Sequence, residues 1–368
     1  ARLPVEVKNR MTVLFFDTMG VFWTMKFPNT RQEDLLREWD LQSEGLNINI
    51  FTPKGFYDDY KKKGIPTDYR FALKTSELDA ADWCNVFDVK LTDIIGILIE
   101  RVITKLKEEI GEYSIQDILT SIRSDTKAEK NVRDATENRF MAADGWGLFD
   151  KNGTEIDELM KPGSVNVLDI SAYTNVAGNW SIKGLVIGLI SRKLLQERIK
   201  ARKDEEMEDI RKQKSYFYEE TQMDKPMVWI MIDEGHEFLP KEGKTPATDA
   251  LVQLLREGRQ PGISLVLVTQ QPGEIHKDVL TQSDIVLSHR LTAKADIDAL
   301  NNMMQSYLTA DLQEYLNNLP KLKGASIVLD DNSERIYPVG VHPKRSWHGG
   351  EAPSAIPLKK KFEFEQKT

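Results

Sequence analysis

Two adjacent carboxylates, Asp233 and Glu234, follow the apolar run Met227-Val228-Trp229-Ile230-Met231-Ile232. Such a run reads as a buried strand, and ligands of open α/β sheets bind outside the carboxyl ends of their strands. Consecutive residues leaving a strand point in different directions. One carboxylate can therefore hold a hydrated divalent cation while its neighbour polarises an attacking water. The same pattern also fits a strand that simply ends in a polar loop.

The residues that follow add to the chemistry. Ala247, Leu251, Leu254 and Leu255 make a helical stripe that ends in Arg256-Glu257-Gly258-Arg259, and Pro261-Gly262 breaks it. The next strand, 263–268, ends in Thr269-Gln270-Gln271-Pro272. Gln270, at the tip of the strand beside the acidic pair, is suited to sense a γ-phosphate or to orient water. Otherwise it is an ordinary strand-end amide. A planar cation at the helix end, Arg259 or Arg256, could reach a neighbouring subunit's nucleotide and stabilise charge on a transferred phosphoryl group. The bland alternative pairs these arginines with Glu257 or with the carbonyls at the helix's end. Asp17 closes the run Val13-Leu14-Phe15-Phe16 and would at least cap the following turn.

Positioning these groups requires an α/β fold with a largely parallel sheet, since short apolar runs alternate with helical patterns. Further strands are expected at 46–51, whose strict alternation suits a place nearer an edge, and at 165–170 and 284–287. Segments 325–329 and 335–339 flank Asp330-Asp331-Asn332-Ser333 and read as a hairpin. The interval between the second and third strands is too long for a structureless crossover. Ile94, Leu98, Val102, Leu106 and Ile110 recur at i+4 along 91–110, Ser114 can cap a helix with Asp117 three positions on, and 126–143 is a third, charge-rich helix. The expected organisation is a first part of the core at 1–53, an inserted helical subdomain at 54–160, the rest of the core with its hairpin at 161–341, and a tail at 342–368. Segment 187–214 reads as one long helix whose charged second half is held by i,i+4 ion pairs.

Composition narrows the function. The 368 residues carry 50 basic and 58 acidic side chains, net −8, with 40% hydrophobic residues. That is ample for a core and argues against a surface that coats nucleic acid throughout, though not against a small basic lining inside a ring. The short clusters Lys61–Lys63 and Lys359–Lys361 read as solvated surface. The single cysteine, Cys84, excludes a disulfide framework or a cysteine-based metal knuckle and fits a cytoplasmic setting. No apolar run approaches the roughly 20 residues of a membrane span. His236 and His289 form no metal-ligand pattern, and Met303-Met304 reads as core.

Four motifs in order then point to one family. Asp233-Glu234-Gly235-His236, Leu255 to Gly262, Thr269-Gln270-Gln271-Pro272 and Ser288-His289-Arg290-Leu291 resemble the HerA branch of the HerA–FtsK translocase superfamily. Asp17-Thr18-Met19-Gly20 is similar to that family's second strand end, and 343–350, with His348-Gly349-Gly350, to its C-terminal region. The resemblance implies a RecA-like (ASCE P-loop NTPase) fold. It implies Asp233 as the Walker B carboxylate for Mg2+, Glu234 as the catalytic glutamate and Gln270 as the sensor amide. Arg259, with Arg256 as the alternative, would act in trans. Asp17 would lie near the nucleotide phosphates, and Arg290 would make a nucleotide or interface contact unless it sits in a structural ion pair.

The sequence departs from that family in lacking GxxxxGK[ST], the loop whose backbone N–H groups cradle phosphates. The expectation is that this loop, and a small β-barrel before it, precede Ala1, and that the strand they bring completes the sheet. The function implied is an ATP-driven homo-hexameric translocase or helicase acting on double-stranded DNA, with a NurA-type nuclease partner in DNA-end processing. The alternatives are a non-catalytic ring scaffold that recruits an effector, or a conjugation or defence ATPase.

Overall fold

The computed structural model describes residues 3–176, 178–212, 225–302, 315–316 and 318–350. Met303-Met304, Lys359–Lys361, residues 213–214 of the expected long helix and the tail beyond 350 lie outside the described residues.

Eight strands precede the C-terminal region: β1 (Met11–Asp17), β2 (Asn49–Pro53), β3 (Tyr69–Phe71), β4 (Leu73–Lys74), β5 (Phe149–Asp150), β6 (Val165–Asp169), β7 (Met227–Ile232) and β8 (Ile263–Leu267). Six of them form one sheet in the order β3-β2-β6-β1-β7-β8, with every ladder parallel. Alternation along β1 sorts its side chains to two cores. Leu14 and Phe16 join the main core with Leu168, Val228 and Ile230, whereas Phe15 packs with Met25, Ile50 and Val167 on the other face.

Helices α1 (Ala80–Val86), α2 (Ile94–Glu109), α3 (Ile115–Ser124) and α4 (Lys130–Gly145) build the insert. Trp83 is its centre, with ring centroids 4.8 Å from Phe140 and 4.9 Å from Phe149. Ser114 and Asp117 form a reciprocal capping box at the start of α3, which satisfies two orphan backbone donors. On α2 the i+4 stripe holds in the middle, where Leu98, Val102 and Leu106 are buried, and fails at its ends, where Ile94 and Ile110 are exposed. Each i+4 step advances about 40° beyond a full turn, so a long row winds off the buried face. Within 54–160, β3 ladders with β2 at the edge of the main sheet, and β4 pairs with β5.

Helix α5 (Asn179–Lys212) backs the sheet with Ile182, Leu185, Val186, Ile190 and Leu194. It crosses the start of α6 (Thr248–Glu257) closely: a Cβ on Gly188 would lie 2.6 Å from the Pro246 carbonyl oxygen. Arg198, 1% exposed, donates to the carbonyls of Pro261 and Lys225 at 2.7 Å each, and pairs with Glu205. Beyond it the helix is charged, with Arg202 beside Glu206 at 3.3 Å in the expected i,i+4 arrangement.

After α7 (Lys277–Gln282), strands β9 (Ile285–His289), β10 (Ala325–Asp330) and β11 (Arg335–Gly340) form a separate antiparallel sheet, order β11-β10-β9. The expected hairpin is β10–β11. The strand expected at 284–287 is β9, but it ladders with β10 and not with the parallel sheet. Among the described residues β8 is therefore an edge strand. Val268, Ile285 and Leu287 are exposed, and Trp229 stays 40% exposed although β7 lies between two strands. Among the described residues no helix is long and apolar enough to cross a membrane.

Candidate functional site

Parallel pairing brings three aspartates level at the carboxyl ends of neighbouring strands. Asp17 of β1 pairs in register with Asp169 of β6. On the other side Phe16 pairs with Ile232, which sets Asp17 beside Asp233. Val268 N–H donates to the Ile232 carbonyl at 2.9 Å, and Gly235 N–H to the Val268 carbonyl at 2.8 Å, so the turn after β7 and the tip of β8 are tied together.

That tie brings Gln270 to Glu234, with the amide Nε2 donating to Oε1 at 3.0 Å. Glu234 adopts a left-handed conformation, φ 52° and ψ 46°, unusual for a residue with a side chain. Strain of this kind costs about 1–3 kcal/mol and collects at functional sites. Asp233 Oδ1 accepts the Glu234 N–H at 2.9 Å. His236 Nδ1 lies 2.9 Å from Thr269 Oγ1, a hydrogen-bond distance, and 3.7 Å from Glu234 Oε2. Among the described residues no group of three or more His, Cys, Asp or Glu side chains could hold a metal ion. A single carboxylate suits Mg2+, which is bound through one or two carboxylates and substrate phosphates.

Asp17 is fully buried and turns back on its own chain. Its Oδ1 accepts the N–H groups of Gly20 at 2.7 Å and Val21 at 3.0 Å, and its Oδ2 that of Phe22 at 2.8 Å. Burial raises its pKa against those three donors. Asp169 is pushed up to about 6, first by burial and then by the neighbouring Asp17. Lys183 of α5, 1% exposed, donates to the Thr18 carbonyl at 2.9 Å and to Thr174 Oγ1 at 3.1 Å. Its pKa is lowered by burial despite the two aspartates. Thr18 Oγ1 is buried without a hydrogen-bond partner among the described residues, a group that a buried water or a ligand oxygen would satisfy.

The arginines lie elsewhere. Arg256 pairs with Asp278 of α7 at 2.6 Å, so it is bound within its own chain, though not to Glu257. Arg259 is exposed and has no side-chain partner among the described residues. It precedes β8, whose five residues at ~3.3 Å each separate it by roughly 16 Å from the acidic end of its own sheet. Arg290 is exposed just after β9, apart from the acidic pair's sheet, and forms no ion pair among the described residues.

Sequence reasoning named Asp17, Asp233, Glu234 and Gln270, and the structure gathers them at one sheet end. It did not name Asp169 or Lys183, which lie beside Asp17. Asp169 lies one residue before the end of the strand expected at 165–170, much as Asp17 closes its own run, and that parallel was the available signal. Lys183 interrupts an apolar helical run, where a lone charge needs a buried partner.

A parallel sheet backed by long helices, with an acidic pair and a polar amide at neighbouring strand ends, defines a RecA-like core of the P-loop NTPase class. Family models sharpen this: the HerA helicase central domain matches residues 3–194, and the HerA-like C-terminal domain matches 215–339. The chain belongs to the HerA helicase family. It is 26% identical over 172 residues to the DNA double-strand break repair helicase HerA of Pyrococcus furiosus, covering 44% of this chain and 30% of that protein. A probable helicase of Methanocaldococcus jannaschii is 25% identical over 230 residues, covering 61% of this chain and 36% of its own. The chain thus spans about a third of the length of these relatives. The solved VirB4 of Thermoanaerobacter pseudethanolicus aligns with TM-score 0.46 at 12% identity, over 94% of this chain and 92% of that one.

Proposed function

We propose that this chain is the greater part of the motor domain of an ATP-driven DNA translocase that works as a homo-hexameric ring. The observation that carries the reading is the Gln270–Glu234 hydrogen bond at the strand ends, beside Asp233 and level with Asp17. Glu234 would polarise the attacking water, and Gln270 would hold it in place and respond to the terminal phosphate. Mg2+, held by Asp233 through water, would neutralise charge on the phosphates of ATP. Asp17, turned onto its own backbone, shapes the turn beside the phosphates rather than contacting them.

The phosphate-gripping loop would come with a segment upstream of Ala1. A strand entering between β8 and β9 would cover the open edge of β8, and its following helix would bury Trp229. Arg259 is too far from its own acidic pair to act on it and faces solvent, as a residue completing a neighbour's site must. Closed rings satisfy every such interface. Arg256, held by Asp278, positions that helix end, and Arg290 is the weaker interface candidate. Contacts with double-stranded DNA would fall mainly on phosphates and weaken with salt. A nuclease of the NurA type as partner in DNA-end processing follows from the family alone.

The test is DNA-stimulated ATP hydrolysis by the chain together with its upstream segment. Glu234→Gln is expected to lose at least ~100-fold in turnover, the scale of a positioned general base. Near-wild-type turnover contradicts the assignment. Arg259→Ala is expected to be inactive alone and to regain part of its activity when mixed with Glu234→Gln subunits; no gain at any ratio contradicts action in trans.

A further inference from the structure

We propose that Lys183 and Asp169 are positioning residues of the nucleotide site: they lock the turns after β1 and β6 together and so hold Asp17 level with Asp233. The inference rests on the reading of that site given above.

The two turns interlock at atomic contact. Asp169 Oδ1 accepts both the N–H and the hydroxyl of Ser171, at 3.0 and 2.6 Å. Ser171 Oγ in turn occupies the space beside Gly20, where an added Cβ would come within 2.6 Å of it. Gly20 has φ +73°, so both the backbone path and the space demand glycine. The Ile170 N–H donates to the Asp17 carbonyl at 3.0 Å, a second stitch between the turns. Lys183 closes the device from below. Its amine ties Thr18, next to Asp17, to Thr174, three residues beyond Ser171.

The charges make the lock sensitive to its members. One buried lysine faces two buried aspartates. Tyr60 from the helix Lys54–Lys62 and Glu237 from the turn after β7 also face the cluster, as does Lys344 from the C-terminal segment, while the Trp180 ring lies 4.6 Å from the Lys183 amine. Tyr60 is pushed up to about 12 and Lys344 is lowered, both first by burial, and burial raises Asp17 and Asp169 alike. Among the described residues Asp169, Ser171 and Lys183 make no hydrogen bond to Asp233 or Glu234, so the network would act on catalysis through the placement of the β1 turn.

Amide hydrogen exchange and steady-state kinetics on the same variants test the proposal. Lys183→Met and Asp169→Asn are expected to speed exchange at Gly20, Val21 and Phe22 by ~10-fold or more relative to the amides of α2, because local opening becomes easier. Ser171→Ala removes only the hydroxyl between the turns and serves where the others do not fold. With the upstream segment present, kcat should fall ~10-fold or more with KM within about 3-fold, the signature of lost transition-state placement. Unchanged protection in all three variants overturns the lock. Lost protection with kcat within about 2-fold of wild type shows a structural role only, and overturns the positioning. A wild-type chain that neither binds nor hydrolyses ATP removes the site reading, and with it the positioning role, whatever the exchange shows.

Discussion

The two sides of the central sheet differ in how completely the chain covers them. On the β3-β2-β6-β1 side both faces are packed, and the insert adds a full aromatic core around Trp83. On the β7-β8 side one face and one edge are open: Trp229 is 40% exposed, Val268 51%, and Ile285 of the separate sheet 65%. Natural sheets do not leave a long apolar edge unguarded. One half is closed by the described residues, while the other leaves apolar surface on which the proposed further strand and helix would pack. The acidic site lies at the seam between them.

Substitutions on the two sides can break that contrast. Trp83→Ala should cost about 3–5 kcal/mol by denaturant unfolding, with or without the upstream segment, because it empties a closed core. Trp83→Phe should cost far less, since the indole N–H is buried without a hydrogen-bond partner among the described residues. Equal losses for Ala and Phe would mean that the aromatic contacts do not carry the insert. Trp229→Gln should change the stability of residues 1–368 by no more than about 0.5 kcal/mol, as at an open surface. With the upstream segment in place the same change should cost about 2 kcal/mol, the worth of a buried apolar side chain. An identical small effect in both forms would show that nothing covers this face.

How much of this was legible in the sequence depended on whether the signal was local. The acidic pair stands out because an apolar strand delivers two adjacent carboxylates to the end of the sheet where ligands of open α/β sheets bind, and the Ser114–Asp117 box because capping acts over three residues. Gln270 was found because its strand follows the acidic pair's own. The Asp17–Asp169 register was not legible, since residues 18–164 of insert and crossover separate two strands that only the sheet makes neighbours. This is a relation of topology, not of spacing. Lys183 was missed for the same reason: its partners lie on two other turns. The departure of β9 from the parallel sheet is equally non-local, because it depends on what stands beside β8.

The central claim is that Asp233 faces the metal carried by a nucleotide. Electron paramagnetic resonance of Mn2+, in the presence of a non-hydrolysable ATP analogue and the chain with its upstream segment, tests it most directly. The account predicts a nucleotide-dependent bound Mn2+ signal in the wild type whose affinity falls ~10-fold or more in Asp233→Asn, the scale on which losing a carboxylate that supports the metal is felt. Equal Mn2+ affinity in the two proteins, with the nucleotide bound in both, would contradict it.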